Sequence, residues 1–208
     1  MAKPNFDLYL ITDRKLPHGR DLCAVVEQAL DGGVRAIQLR EKDLSGKQLC
    51  ELAGKMSLIC QRYNAQLFIN ERIDVALAVD AAGVQLGKTS IPIKSARGLL
   101  GVGKTIGYSA HTLEEATVAA QNGADFLLFG PVYFTPSKAI YGAPQGLTAL
   151  RKIVDKIAVP VYAIGGVTAE RLAATISTGV RGVALISAIM SAENPTAAAR
   201  TILAKLAR

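Results

Sequence analysis

The stretch Val159-Pro160-Val161-Tyr162-Ala163-Ile164-Gly165-Gly166, followed after a helical segment by Gly182-Val183-Ala184-Leu185-Ile186-Ser187, decides the fold of this chain. Both apolar runs have the length and composition of buried parallel strands. Each run ends in a turn that offers backbone N–H groups to a ligand. In a (β/α)8 barrel, the loops after the seventh and eighth strands commonly bind phosphate. The pair therefore predicts a barrel and a phosphate ligand, although Gly-Gly by itself only marks a strand-to-helix turn.

Strand-like and helix-like segments alternate along the whole chain. The predicted strands are 8–12, 34–39, 66–70, 82–86, 104–108, 125–130, 159–164 and 180–186. The predicted helices are 20–32, 45–63, 71–80, 92–99, 112–122, 146–157, 168–178 and 194–207. Eight β/α pairs predict the α/β class, with residues 1–208 forming a single (β/α)8 TIM barrel domain and an active site at the C-terminal strand ends. A flavodoxin-like open sheet is the alternative, and eight repeats favour closure.

Composition narrows the class of ligand. Hydrophobic residues make up 50% of the chain and aromatic residues 5%, with no tryptophan, which suits a parallel sheet covered by helices. The net charge is +7, but the lysines and arginines are scattered without a basic run or aromatic platforms. We therefore expect small phosphorylated substrates as the partners, and no nucleic acid.

Cysteine usage and hydropathy indicate the compartment. The chain has an odd number of cysteines, three, and none of them is in a C-x-x-C pair. This usage is typical of reduced thiols in a cytosolic protein. No apolar run reaches the roughly 18 residues of a membrane span, and no signal peptide is evident. The chain is expected to be cytoplasmic and not to bind membranes. A homodimer is compatible with the helix faces, but no apolar stripe requires one.

Two cations follow the second predicted strand. Arg40 and Lys42 follow it with alternating spacing, so both side chains can point toward the barrel mouth, and Gln38 lies at the same strand end. Arginine as a bidentate fork and lysine as a point charge together suit a diphosphate. The alternative is a solvated loop of alternating charge.

The loop after the sixth predicted strand carries a second set of anion-binding groups. Thr135 and Ser137 supply hydroxyls and Lys138 supplies a cation, in a long βα connection that resembles a lid over an anionic ligand. The alternative is a flexible connection, which the prolines and aromatic residues of this loop disfavour.

Asn70, Glu71 and His111 are candidates for metal binding and proton transfer. An amide and a carboxylate after the third strand are suitable ligands for Mg2+, although an acidic residue there also favours a helix start, and the sequence alone favours the helix. His111 follows the fifth strand, and its ordinary pKa near 6.5 suits a general acid or base. It is equally compatible with a first-turn helix residue.

These residues together resemble the thiamine-phosphate synthase family and its close relatives, the thiazole tautomerases. The match covers nearly the whole chain. The motifs that carry it are Leu10-Ile11-Thr12-Asp13-Arg14, Gln38-Leu39-Arg40-Glu41-Lys42, Ile69-Asn70, Ser109-Ala110-His111-Thr112, Gly130-Pro131-Val132, Thr135-Pro136-Ser137-Lys138, Ala163-Ile164-Gly165-Gly166 and Ile186-Ser187-Ala188-Ile189.

The resemblance implies a barrel that joins a pyrimidine diphosphate to a thiazole phosphate, giving thiamine phosphate and pyrophosphate. By similarity, the aminopyrimidine diphosphate is held by residues 38–42, Asn70, Ser109 and Lys138. The thiazole phosphate is held, also by similarity, by Thr135, Ser137, Gly166, Ile186 and Ser187. Catalysis is then mainly electrostatic stabilisation of the departing diphosphate by Arg40, Lys42, Lys138 and Mg2+.

The chain departs from the synthase pattern at the implied metal site. Synthases usually have Asn-Asp after the third strand, where this chain has Asn70-Glu71, and a second aspartate after the fourth strand, where it has Ser90. Lys88 adds positive charge nearby. One carboxylate with diphosphate oxygens is expected to hold Mg2+ more weakly than two.

This loss leaves two alternatives open. A thiazole tautomerase needs a phosphate site and a proton shuttle but no metal, and by resemblance its base is His111. The third hypothesis is a non-catalytic relative that only binds a phosphate ligand.

Overall fold

The computed structural model describes residues 4–135 and 143–207, and in this part of the chain eight parallel strands form a closed barrel. The strands are β1 (Leu8–Ile11), β2 (Ala36–Leu39), β3 (Gln66–Asn70), β4 (Gly83–Leu86), β5 (Thr105–Ala110), β6 (Phe126–Phe129), β7 (Val161–Ile164) and β8 (Gly182–Leu185). Each strand pairs with the next in sequence order, and β8 pairs with β1 through Leu8 and Val183. Closure confirms the predicted barrel and excludes the open-sheet alternative.

Helices connect successive strands on the outside of the barrel. They are α1 (Leu22–Asp31), α2 (Gly46–Arg62), α3 (Ile73–Ala78), α4 (Ile93–Leu100), α5 (Leu113–Gln121), α6 (Gly146–Lys156), α7 (Leu172–Ile176), α8 (Ser187–Met190) and α9 (Pro195–Leu206). Side-chain caps fix several starts: Thr112 accepts a hydrogen bond from the backbone of Glu115, and Asn194 caps α9 ahead of Pro195. The short helix α8 is absent from the sequence-based prediction.

The apolar residues form two layers. The larger layer lies between the strands and the helices, and is mainly aliphatic. The smaller fills the barrel interior, where five aromatic rings meet: Phe6, Tyr9, Phe68, Phe126 and Tyr162. This interior layer fills the barrel, and in barrels of this kind the ligand site lies at the C-terminal strand ends.

Within the described residues, every helix is too short or too polar to cross a bilayer.

Candidate active site

The end of β2 places a buried amide next to two cations. Gln38 is 1% exposed, and its Nε2 has no hydrogen-bond partner among the described residues. Arg40 is half-buried and forms no ion pair with any described residue. The Nζ of Lys42 lies 3.6 Å from Oε2 of Glu71, at the end of the neighbouring strand β3. The mouth therefore contains a donor and a cation that no described residue pairs with, as an anionic ligand requires.

Glu71 bridges the loops that follow β3 and β4. Its Oε1 accepts hydrogen bonds from Ser90 Oγ at 3.1 Å and Thr89 Oγ1 at 3.5 Å, and its Oε2 accepts one from Asn70 Nδ2 at 3.2 Å. Its backbone is left-handed, with φ +60°, which is uncommon for a residue other than glycine. Because α3 begins only at Ile73, the interpretation of Glu71 as a helix-opening residue is wrong.

The oxygen atoms around Glu71 fit a hard cation. Mg2+ prefers oxygen ligands and commonly binds through one or two carboxylates together with substrate phosphates. The described residues contain no cluster of three or more His, Cys, Asp or Glu side chains that could hold a metal alone. Glu71 therefore offers one carboxylate, with the Ser90 hydroxyl 3.1 Å away, as oxygen atoms that could contribute to a cation site.

The end of β5 positions His111 outside the helix that follows. The backbone N–H of His111 donates to Glu115 Oε2 at 2.7 Å, and the ring Nδ1 lies 2.5 Å from the carbonyl oxygen of Gly130. Because a carbonyl oxygen only accepts, Nδ1 carries the hydrogen, and in the neutral ring Nε2 is the acceptor. The alternative of a first-turn helix residue is wrong, since Thr112 is the N-cap and α5 begins at Leu113.

Ser109 lies on β5, and a side chain of β4 holds it in place. Its hydroxyl lies 3.0 Å from the side-chain amide of Gln85, which is 2% exposed. Turned with its oxygen toward β5, that amide also accepts from the backbone N–H groups of Tyr108 and Ser109. The structure thus holds Ser109 at the C-terminal half of β5, near the mouth.

The loop after β7 requires two glycines. Gly165 and Gly166 have φ values of +94° and +65°. A Cβ atom on Gly165 would lie 2.6 Å from Pro131, and one on Gly166 would lie 2.7 Å from the carbonyl oxygen of Phe134. The close approach arises because Tyr133 N donates to Gly165 O at 2.9 Å, which joins this turn to the loop after β6.

Ile186 and Ser187 form the other half of the predicted phosphate turn. Ile186 is the N-cap of α8, and Ser187 is its exposed first residue. A short extra helix at this place commonly presents its N-terminal N–H groups to a phosphate in barrels of this kind. Sequence reasoning found both residues but missed the helix, whose only sequence signal is a serine at the start of a short apolar run.

The loop after β6 is described only in part. Thr135 is half-buried at the end of the first described segment. Ser137 and Lys138 lie outside the described residues, so their predicted roles stay predictions.

Sequence reasoning missed one buried pair at the mouth. Glu41 is 6% exposed and accepts a 2.6 Å hydrogen bond from the hydroxyl of Thr12, which is fully buried. Burial raises the pKa of the Glu41 carboxyl, and hydrogen bonds from Thr12 and from the backbone of Arg14 oppose that rise. The signal in the sequence is that Glu41 alternates out of phase with Arg40 and Lys42.

Known proteins are similar in sequence to this chain over nearly their whole length. The family model described as thiamine monophosphate synthase matches residues 8–189. A Geobacter sulfurreducens protein named "Putative thiamine-phosphate synthase" is 51% identical over 99% of this chain and 97% of its own length. The thiamine-phosphate synthase of Clostridium novyi is 42% identical over 95% of this chain and 97% of its own.

A solved structure agrees with these sequences. Thiamine phosphate pyrophosphorylase from Pyrococcus furiosus superposes with a TM-score of 0.88 at 39% identity, covering 97% of this chain and 95% of that one. These matches confirm the resemblance that the motifs predicted. The chain belongs to the thiamine monophosphate synthase family.

Proposed function

We propose that this chain is a thiamine-phosphate synthase, a transferase that condenses hydroxymethylpyrimidine diphosphate with thiazole phosphate and releases pyrophosphate. The observation that carries the proposal is the half-buried Arg40, which has no counter-charge among the described residues and stands across the mouth from a separate phosphate-type turn at Gly165 and Gly166. Two anion sites on one mouth suit a reaction with two phosphorylated substrates.

The pyrimidine diphosphate binds at the ends of β2, β3 and β5. Arg40 and Lys42 neutralise the diphosphate, and the unpaired amide of Gln38 with Ser109 and Asn70 supplies polar contacts deeper in the mouth. Lys138 adds a third cation from the loop after β6. The thiazole phosphate binds across the mouth, on the N–H groups of the Gly166 turn and of α8, with the hydroxyls of Thr135, Ser137 and Ser187.

Glu71 and Ser90 would hold a magnesium ion, which supplies positive charge to the diphosphate when bound. Lys42 lies within 3.6 Å of the same carboxylate, so it is placed to share the substrate oxygens. Because Glu71 is the single carboxylate that the described residues place at this position, we expect magnesium to bind mainly as a complex with the diphosphate.

In the reaction, the bond between the pyrimidine methylene carbon and the diphosphate oxygen breaks, and the thiazole nitrogen forms the new bond to that carbon. Negative charge accumulates on the departing diphosphate as its bond lengthens. Arg40 and Lys42 stabilise that charge, and they do so most strongly in a mouth closed below by the aromatic layer. No proton transfer is needed for bond formation, so His111 has no required chemical step in this proposal.

The geometry of His111 supports a second candidate, the metal-independent thiazole tautomerase. With Nδ1 bonded to the Gly130 carbonyl, a neutral His111 has an acceptor at Nε2 to which no described residue donates, as a base requires. The names of the relatives favour the synthase, because the proteins that are 42% and 44% identical are both named thiamine-phosphate synthase.

One assay separates these candidates. Purified protein is supplied with both substrates at millimolar Mg2+, and thiamine phosphate and pyrophosphate are measured, with each substrate omitted in turn as a control. The synthase forms both products in equal amounts and still forms them in the His111→Ala variant. A folded protein that forms no thiamine phosphate contradicts the proposal, and metal-independent isomerisation that is lost in His111→Ala identifies a tautomerase instead.

The remaining expectations follow from this function. We propose a cytoplasmic enzyme that acts on small phosphorylated molecules, with residues 1–208 as one domain. The homodimer stays a prediction.

A further inference from the structure

The loops after β1 and β2 are joined by buried side-chain hydrogen bonds next to the cations of the mouth. The Thr12 hydroxyl donates to Glu41 Oε1 at 2.6 Å and accepts from the backbone N–H of Arg40 at 3.0 Å. The backbone N–H of Arg14 donates to both carboxylate oxygens of Glu41, at 3.1 and 3.2 Å. We call Thr12 and Glu41, with these bonds, the Thr12–Glu41 clamp.

Burying the Glu41 carboxylate at this position costs free energy. A carboxylate that is 6% exposed loses most of its hydration, and burial makes its ionised form harder to maintain. Its nearest cation, the Nε of Arg14, is 3.8 Å away, and that arginine also pairs with Asp43 at 3.0 Å. A residue selected for stability alone would be apolar here, so the position calls for another explanation.

The clamp separates the charges of this loop by direction. Glu41 faces the loop after β1, where Thr12 binds it, whereas Lys42, in the turn that follows, points toward Glu71 after β3. Thr12 and Arg14 donate hydrogen bonds to the Glu41 carboxylate, and its negative charge therefore points away from the mouth. The Thr12 hydroxyl also fixes the backbone of Arg40 itself.

We infer that the Thr12–Glu41 clamp is a positioning device that holds Arg40 and Lys42 on the diphosphate. Neither clamp residue is required to touch substrate. The inference rests on the proposed function, because it assumes that the cations of β2 bind a diphosphate. It goes beyond that function by assigning roles to two residues that chemistry at the mouth does not use directly.

Thr12→Val tests the clamp, with Thr12→Ser as the matched control. Valine keeps the shape of threonine but removes both hydrogen bonds of the hydroxyl, whereas serine keeps the hydroxyl. Binding of inorganic pyrophosphate with Mg2+ is measured by calorimetry, and KM is measured for each substrate. For Thr12→Val we expect pyrophosphate affinity to fall about tenfold or more, because small displacements of charged groups are costly. The KM for thiazole phosphate should stay within about twofold, and Thr12→Ser should bind like the wild type.

Glu41→Gln provides a second test that does not depend on the folding of Thr12→Val. It removes the charge that Arg14 N binds while it keeps the side-chain length, and we expect the same selective loss of pyrophosphate affinity. Equal losses for pyrophosphate and thiazole phosphate, or no loss in either folded variant, would overturn the inference. Wild-type protein that binds no pyrophosphate would instead overturn the proposed function, so the two failures are distinguishable.

Discussion

Single residues at the mouth place one carboxylate where the synthase pattern usually has two. Glu71 is longer than an aspartate by one methylene, and its left-handed backbone directs the carboxylate to the loop after β4. There Ser90 occupies the place where the family pattern has an acid, and its hydroxyl accepts from the backbone N–H of Gly87 while it donates to Glu71. The serine therefore supports the glutamate and adds no charge of its own.

Ser90→Asp restores the second carboxylate, and Ser90→Asn is its neutral control of the same shape. We expect the aspartate variant to bind Mg2+ several-fold more tightly in the presence of pyrophosphate, because a second carboxylate is a direct ligand for this ion. Titration calorimetry with Mg2+ at fixed pyrophosphate measures the change. Equal Mg2+ affinity in the aspartate and asparagine variants would argue against a metal at Glu71.

The sequence predicted which residues line the mouth but not which of them touch. Arg40 and Lys42 follow β2 and Ser109 lies in the last part of β5, as the predicted strand ends imply, and their roles at the mouth stay predictions. The contacts of Glu71 with Ser90, and of Glu41 with Thr12, join residues 19 and 29 positions apart. Such contacts depend on strand order and loop geometry, which local patterns do not contain.

Strands and helices are easier to predict from the sequence where their buried residues form a long pattern. The strands of a parallel barrel are buried on both faces, so most of them, such as β1, β6 and β8, appear as continuous apolar runs, and the sequence located all eight. Helix α8 was missed because its four residues complete little more than one turn, which is too short for a helical period. It lies directly after β8, where its start completes the predicted phosphate turn.

Two glycine substitutions compare the turn after β7, which forms part of the proposed site, with helix α4, which does not. Gly166→Ala places a Cβ at a left-handed position and 2.7 Å from Phe134 O, so we expect a loss of about 1–2 kcal/mol in unfolding free energy and a higher KM for thiazole phosphate. Gly98 is an exposed residue of α4 with open space around its Cβ position. For Gly98→Ala we therefore expect a gain of about 0.5–1 kcal/mol in unfolding free energy and unchanged kinetics.

Urea unfolding and steady-state kinetics on the same preparations provide both measurements. A Gly166→Ala protein with the wild-type KM for thiazole phosphate would mean that the turn after β7 does not bind that phosphate.

At the scale of the molecule, the barrel closes over an aromatic centre. The Phe126 ring lies 5.6–5.7 Å from the rings of Phe6, Tyr9, Phe68 and Tyr162. These residues belong to or precede strands that are distant in sequence, and Tyr162 also donates a 2.8 Å hydrogen bond to the carbonyl oxygen of Phe6. A low aromatic content gave no hint of this concentration, because composition does not say where residues lie.

Phe126→Ala should therefore destabilise the whole barrel and not one part of it. Removing a fully buried phenylalanine costs about 3–5 kcal/mol, whereas Phe134→Ala, at a position 62% exposed, is the control and should change stability little. The chain has no tryptophan, so near-ultraviolet circular dichroism reports on its six tyrosines, two of which lie in the barrel centre. We expect this signal and the far-ultraviolet signal to unfold in one coincident transition, shifted as a unit in Phe126→Ala, as one domain requires. Two separate transitions, only one of them moved by the substitution, would contradict both the single domain and the role of the aromatic centre in holding it together.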